Sequence, residues 1–205
     1  MPFDGHPWNS VIALDTSPTR LALARHNAQI YGVADRIEFI LTDYLTFIKS
    51  YLSLPSTSDK NSGVSNNARK IDVIFLSPPW GGPSYLSGSP KGSPTKNNFI
   101  SSKTSSNLVA EHPPYSLSSI QPIHGAALFD LTRTVTKNIA YYLPRNTRLD
   151  EISSLVAEEQ LRTGRVTSTS SEMEKIEVEE EWMGNKLKAV TCYFGGLVQG
   201  QESIF

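Results

Sequence analysis

The chain reads as an α/β protein, a doubly wound sheet of mostly parallel strands closed by an antiparallel hairpin. Three observations predict this. Short apolar runs alternate with helix-spaced segments from residue 11 to residue 161. The early runs stop at a carboxylate or a polar loop, as buried parallel strands do where they leave a sheet. The last stretch holds two strand patterns joined near Gly184-Asn185, a hairpin signal.

Taken in order, Val11-Ile12-Ala13-Leu14 followed by Asp15 predicts a buried parallel strand ending in an acid. Pro18 suits a first helical position, and Leu21, Leu23, Ala24, Ala28, Ile30 and Tyr31 follow helical spacing until Gly32 ends the helix. Arg36 to Leu41 predicts the next strand, ending at Thr42-Asp43, with a short helix over Tyr44 to Leu52. Ile71 to Leu76 is a further buried strand. Ala126 to Asn138 has a helical face of Leu128, Leu131, Val135 and Ile139, and Ile139 to Leu143 is strand-like. Asp150 to Leu161 predicts a helix, and Lys175 to Trp182 with Lys186 to Phe194 forms the terminal hairpin. Residues near 53–70 and 84–119, rich in Ser, Asn, Pro and Gly, read as low-complexity insertions within one domain spanning residues 1–205.

At 205 residues, 39% hydrophobic and 19% charged, the chain falls in the soluble globular class. A net charge of −1 argues against a global basic field that coats long nucleic acid, while leaving a short, terminal or single-nucleotide target open. The one cysteine, Cys192, sits in an apolar strand pattern and reads as core in a reducing compartment. No apolar run approaches membrane-spanning length, and the N-terminal residues lack signal-peptide character, so an intracellular protein with no membrane partner is expected. His6, His26, His112 and His124 show no ligand or triad spacing, and no metal is expected.

The most informative residues are Ser77-Pro78-Pro79-Trp80, directly after the Ile71–Leu76 run. Proline has no N–H, so the loop presents acceptors, the Ser77 hydroxyl and the Pro78 carbonyl, beside an indole face. That set suits methylation of an exocyclic amine on a planar ring stacked on Trp80. The plainer alternative is a Pro-Pro turn with Trp80 as a core or lid aromatic. Asp15 is placed either to hold cofactor ribose hydroxyls beyond a strand end or to cap the following helix, with Thr16 and Ser17 better placed for capping. Asp43 is either an acceptor for an adenine amino group or a turn residue.

Four blocks carry a resemblance: VIALDTSPTRLALARHNAQIYGVADRIEFILTD from Val11, LSPPWGGPSY from Leu76, NIAYYLPRN from Asn138 and NKLKAVTCYF from Asn185. Together they resemble the trimethylguanosine synthase family. The resemblance implies a Rossmann-like, class I S-adenosylmethionine-dependent methyltransferase sheet. It implies methylation of the N2 amine of 7-methylguanosine caps to the 2,2,7-trimethyl form, on small nuclear (snRNA) and nucleolar (snoRNA) RNAs. Position by position it places Asp15 on the cofactor ribose, Asp43 on its adenine, and Ser77, Pro78 and Trp80 at the reacting guanine. Tyr85, Arg145 and Lys188 would hold the cap phosphates, whereas on the residues alone Tyr85 is a loop aromatic and the two cations are solvated charges. The resemblance also implies contacts with small nuclear ribonucleoproteins and residence in the nucleus and nucleolus, with the cytoplasm as a further place.

Family members carry a strand and Gly-rich cofactor loop before the VIALD-like strand, and Phe3-Asp4-Gly5-His6 does not match it. The expectation is therefore a sheet lacking its first strand, from a chain incomplete at its N-terminus and weakly active or inactive alone. Ser17 stands where the family usually has a second Asp. Two further readings remain at this point: a noncatalytic cap-binding module, and an amino methyltransferase of the adenine-N6 type acting on uncapped nucleic acid.

Overall fold

The computed structural model describes residues 10–54, 70–80, 114–163 and 174–198. The chain divides into two compact units, Met1–Arg69 and Lys70–Phe205.

In the first unit, β1 (Val11–Asp15) pairs in parallel with β2 (Ile37–Leu41), Val11 opposite Ile37 and Asp15 opposite Leu41. Helix α1 (Pro18–Ile30) starts where Ser17, in extended backbone, accepts the Arg20 N–H on its hydroxyl at 3.3 Å, with Pro18 supplying the fixed φ of a first turn. It ends in a Schellman motif, in which Gly32 at φ +68° lets Val33 N donate back to Ala28 O at 2.9 Å and Gly32 N to Gln29 O at 3.1 Å. Helix α2 (Tyr44–Leu52) follows with Asp43 as its cap.

The expectation that residues 11–14 form a buried strand is not met. Val11 is exposed and the rest of β1 only half-buried, and among the described residues of this unit Ala28 and Ile48 alone are buried apolar side chains. Among the described residues this unit has two strands and two α-helices, a set that encloses little.

In the second unit the sheet order is β3-β4-β6-β5, built from β3 (Val73–Leu76), β4 (Asn138–Pro144), β5 (Glu177–Met183) and β6 (Lys186–Phe194). β3 runs parallel to β4, and the remaining pairs are antiparallel. Gly184 at φ +57° makes the two-residue turn between β5 and β6. On one face Ile139, Tyr141 and Leu143 lie in register with Phe194, Cys192 and Val190, and all six are buried. The Phe129 ring of α3 (Gly125–Arg133) meets Phe194 at 4.7 Å, tilted 56°. α4 (Leu149–Thr163) adds buried Ile152, Leu155 and Val156.

β3 also departs from expectation. The run Ile71–Leu76 predicts a buried strand, but β3 is an edge strand. Ile74 and Leu76 are buried, while Val73 and Phe75 are 50% and 61% exposed. Helix α3 stops at Arg133, five residues before the predicted end, and Asn138 and Ile139 belong to β4. Residues 114–119, predicted to lie in an insertion, are built into the core of this unit. Tyr115 bridges Thr147, its N–H donates to Asn146 O at 2.8 Å, and Tyr115, Leu117 and Ile120 are buried. Three large apolar side chains outweigh the polar composition around them.

One buried charge organises this unit. Arg133 forks onto Glu174 (Nη1 to Oε1 3.0 Å, Nη2 to Oε2 2.6 Å), donates from Nε to Glu159 at 2.7 Å and from Nη1 to Lys137 O at 2.9 Å. Lys137 also pairs with Glu159. Burial works against the Arg133 charge, yet the hydrogen bonds it donates to Glu174 and Glu159 raise its pKa.

Candidate active site

In the first unit Asp15 ends β1 and Asp43 stands two residues past the end of the neighbouring parallel strand β2, at the carboxyl ends where ligands bind in open α/β sheets. The two ends are held together, with Thr42 N donating to Asp15 O at 3.1 Å. Asp15 Oδ1 accepts from Ser17 N at 2.7 Å and Arg20 Nε at 3.1 Å, so it orders the β1–α1 turn while Ser17 does the capping. Asp43 caps α2, with Oδ1 accepting from Thr46 N at 2.9 Å and Oδ2 from the Thr46 hydroxyl at 2.6 Å. The Thr46 hydroxyl and N–H bonds hold its carboxyl below the ordinary range, ionised and able only to accept. Two carboxyl groups at neighbouring strand ends fit ribose hydroxyls and an exocyclic amine as hydrogen-bond donors.

In the second unit the Ser77-Pro78-Pro79-Trp80 loop leaves β3 after its last rung, Leu76 opposite Tyr141. Pro78 and Pro79 cannot extend that ladder, and the chain turns so that Trp80 Nε1 donates to the carbonyl of Tyr142, the next residue of β4, at 3.2 Å. The Trp80 and Tyr142 rings lie 4.8 Å apart at 38°, and Phe75 lies 6.0 Å from Tyr142 on its own centroid. Trp80 and Pro78 are half-buried, and Ser77 is exposed at the loop surface.

The cations predicted for phosphate come to the same end of this sheet. Pro144 of β4 pairs with Ala189 of β6, so the next position along each strand sets Arg145 across from Lys188. Arg145 Nη1 donates to Leu187 O at 3.3 Å, half-burying the guanidinium, while Lys188 is exposed. Tyr85 lies outside the described residues. Sequence reasoning missed Tyr142, because its contact with Trp80 spans 62 positions and leaves no local pattern.

Other reactive groups are structural. Burial pushes the Cys192 thiol up to about 12. His124 accepts the Ala126 N–H on Nδ1 at 3.0 Å as the cap of α3. Among the described residues no cluster of three or more His, Cys, Asp or Glu could hold a metal ion, and no helix is long and apolar enough to cross a membrane.

A family model described as RNA cap guanine-N2 methyltransferase matches residues 3–90 and 109–197. Trimethylguanosine synthase of Schizosaccharomyces pombe is 32% identical over 145 residues, 70% of this chain. The chain spans 45% of the length of that relative. The alternating strands, helices and terminal hairpin agree with the Rossmann-like α/β fold of S-adenosylmethionine-dependent methyltransferases. With matched segments that include both strand-end carboxylates, the proline-tryptophan loop and the Arg145–Lys188 end of the sheet, the chain belongs to the RNA cap guanine-N2 methyltransferase family.

Proposed function

We propose that residues 1–205 form one methyltransferase domain that methylates the N2 amine of 7-methylguanosine caps, on small nuclear and nucleolar RNAs, toward the 2,2,7-trimethyl form. The observation that carries this reading is the single end of the second sheet shared by the Ser77–Trp80 loop, Arg145 and Lys188. An aromatic face, hydrogen-bond acceptors and two cations there correspond to the three parts of a cap: a planar cationic base, an exocyclic amine and a phosphate chain.

S-adenosylmethionine, the methyl donor of the family, supplies an electrophilic methyl group on a sulfonium. Asp15 and Asp43 accept hydrogen bonds from its ribose and adenine. Ser77 Oγ and the Pro78 carbonyl accept from the guanine amine and aim its lone pair. Trp80 stacks on the 7-methylated base, whose positive charge adds a cation–π attraction of about 2 kcal/mol when desolvated. Arg145 and Lys188, with Tyr85, hold the phosphates. The amine loses its proton readily once methylated, so catalysis rests on alignment rather than on a strong base. Small nuclear ribonucleoprotein contacts and a nuclear and nucleolar location, with the cytoplasm as a further place, belong to the same reading.

The test is transfer of labelled methyl from S-adenosylmethionine to m7GpppG and to GpppG by the whole chain. Labelling of m7GpppG alone supports the reading. Equal labelling of both removes the charge-selective role of Trp80, and binding of m7GDP without labelling leaves a cap-binding module.

A further inference from the structure

We propose that Tyr142 is a positioning residue that sets the plane of the Trp80 indole for cap recognition. The proposal rests on the reading that Trp80 stacks on the base. Trp80 sits four residues past the end of an edge strand, after two prolines that bring no N–H to the sheet. A loop in that place has many ways to present a large ring. Two contacts to one residue of β4 restrict it: the indole N–H donates to Tyr142 O at 3.2 Å, and the phenol ring packs 4.8 Å away at 38°. A hydrogen bond fixes one point of the indole and leaves rotation about it, and a ring pressed on one side removes that rotation.

Tyr142 is itself well anchored. It lies inside β4, between buried Tyr141 and Leu143, in register with Thr191 of the buried strand β6. Its ring has Phe75 on a second side at 6.0 Å, which makes a row of three aromatics running from β3 through β4 to the loop. The indole is therefore held from the sheet side, and stacking strength depends on ring orientation. Tyr142 acts through Trp80, not on the base.

The experiment measures equilibrium binding of m7GDP and GDP to the full chain, wild type and variants, with thermal melting as a check on folding. Tyr142→Phe keeps the ring and the carbonyl, and its preference for m7GDP stays within about twofold of wild type. Tyr142→Val suits a strand and keeps the carbonyl but removes the ring. Its preference for m7GDP falls about tenfold, as expected for loss of an oriented aromatic contact. Trp80→Leu abolishes the preference.

A Tyr142→Val protein with wild-type preference, beside a Trp80→Leu protein without it, overturns the positioning role and leaves the stacking reading intact. Unchanged preference in Trp80→Leu overturns the stacking reading and the positioning role with it. Should Tyr142→Val fail to fold, Tyr142→Leu removes the aromatic ring with a bulkier aliphatic side chain and keeps the carbonyl: wild-type preference there overturns the proposal, and a loss of about tenfold supports it.

Discussion

Arg145 donates from Nη1 to the main-chain carbonyl of Leu187 at 3.3 Å, and this bond turns a long flexible side chain into a fixed one beside Lys188. A guanidinium held by one nitrogen still offers its other N–H groups in a planar fork, which a lysine cannot imitate.

Arg145→Lys should therefore lose about 1.5–3 kcal/mol of m7GpppG binding, the range of a hydrogen bond to a charged group. The fold should be unaffected. Isothermal titration at two salt concentrations checks it: the variant binds less tightly but with the wild-type salt dependence, because the charge is kept, and wild-type affinity at both would show that Arg145 is only a sheet-end anchor.

Asp15 has a structural duty and a proposed binding one, and a single substitution separates them. Asp15→Asn retains an acceptor for the Ser17 N–H, while the exposed pair with Arg20 is worth less than about 1 kcal/mol. The melting temperature should shift little. Affinity for S-adenosylhomocysteine should fall about tenfold, because bonds to an ionised acceptor are roughly twice as strong as neutral ones.

The Arg133 cluster makes the second unit sensitive to acid. Burial raises the Glu159 pKa, but hydrogen bonds from Arg133 and Lys137 outweigh this and leave it below 4.5. A lowered native pKa contributes stability that is present above 4.5 and is lost as pH falls through the native value. Melting temperatures from pH 7 to pH 3 should drop more steeply below pH 4.5 for wild type than for Glu159→Gln, which has already lost the charge.

Gly195 and Gly184 both have positive φ, at +68° and +57°, but their surroundings differ. A Cβ at Gly195 would fall 2.5 Å from Lys137 O and 2.9 Å from Asn138 Oδ1, whereas at Gly184 it would meet nothing within 4 Å. Gly195→Ala should cost about 2–4 kcal/mol, backbone strain plus overpacking. Gly184→Ala should cost only the backbone part, about 1–2 kcal/mol. Urea titrations of the two variants give the comparison.

What the sequence conveyed depended on how local each signal is. Helix α2 and strand β6 have the bounds read from sequence, Tyr44–Leu52 and Lys186–Phe194, because a capping Asp43 and a glycine turn mark their starts. Helix α3 was overextended because Val135 and Ile139 continue its apolar spacing by coincidence. In the structure the Thr136 hydroxyl donates to Asp72 O at 2.7 Å, and the chain has already left the helix. Pro114–Ile120 was hidden by its serines and prolines, though its buried Tyr115, Leu117 and Ile120 fill part of the core. At the candidate site, the Ser77–Trp80 loop stood out as a short motif, while Arg145 and Lys188 were singled out only by the family resemblance. The Trp80–Tyr142 contact and the Arg133–Glu174 fork join residues 62 and 41 positions apart, and no pattern along the chain encodes them.

The chain has one cysteine, and the sheet has placed it mid-strand in β6 opposite Tyr141, with no exposed surface. A thiol reagent such as a maleimide should leave the folded protein untouched and mark it only when β4 and β6 separate. That single sulfur is thus a built-in clock for opening of the second unit. The rate at which it is labelled, with and without m7GDP, reports how far a bound cap holds the sheet shut, even in a variant too inactive to assay.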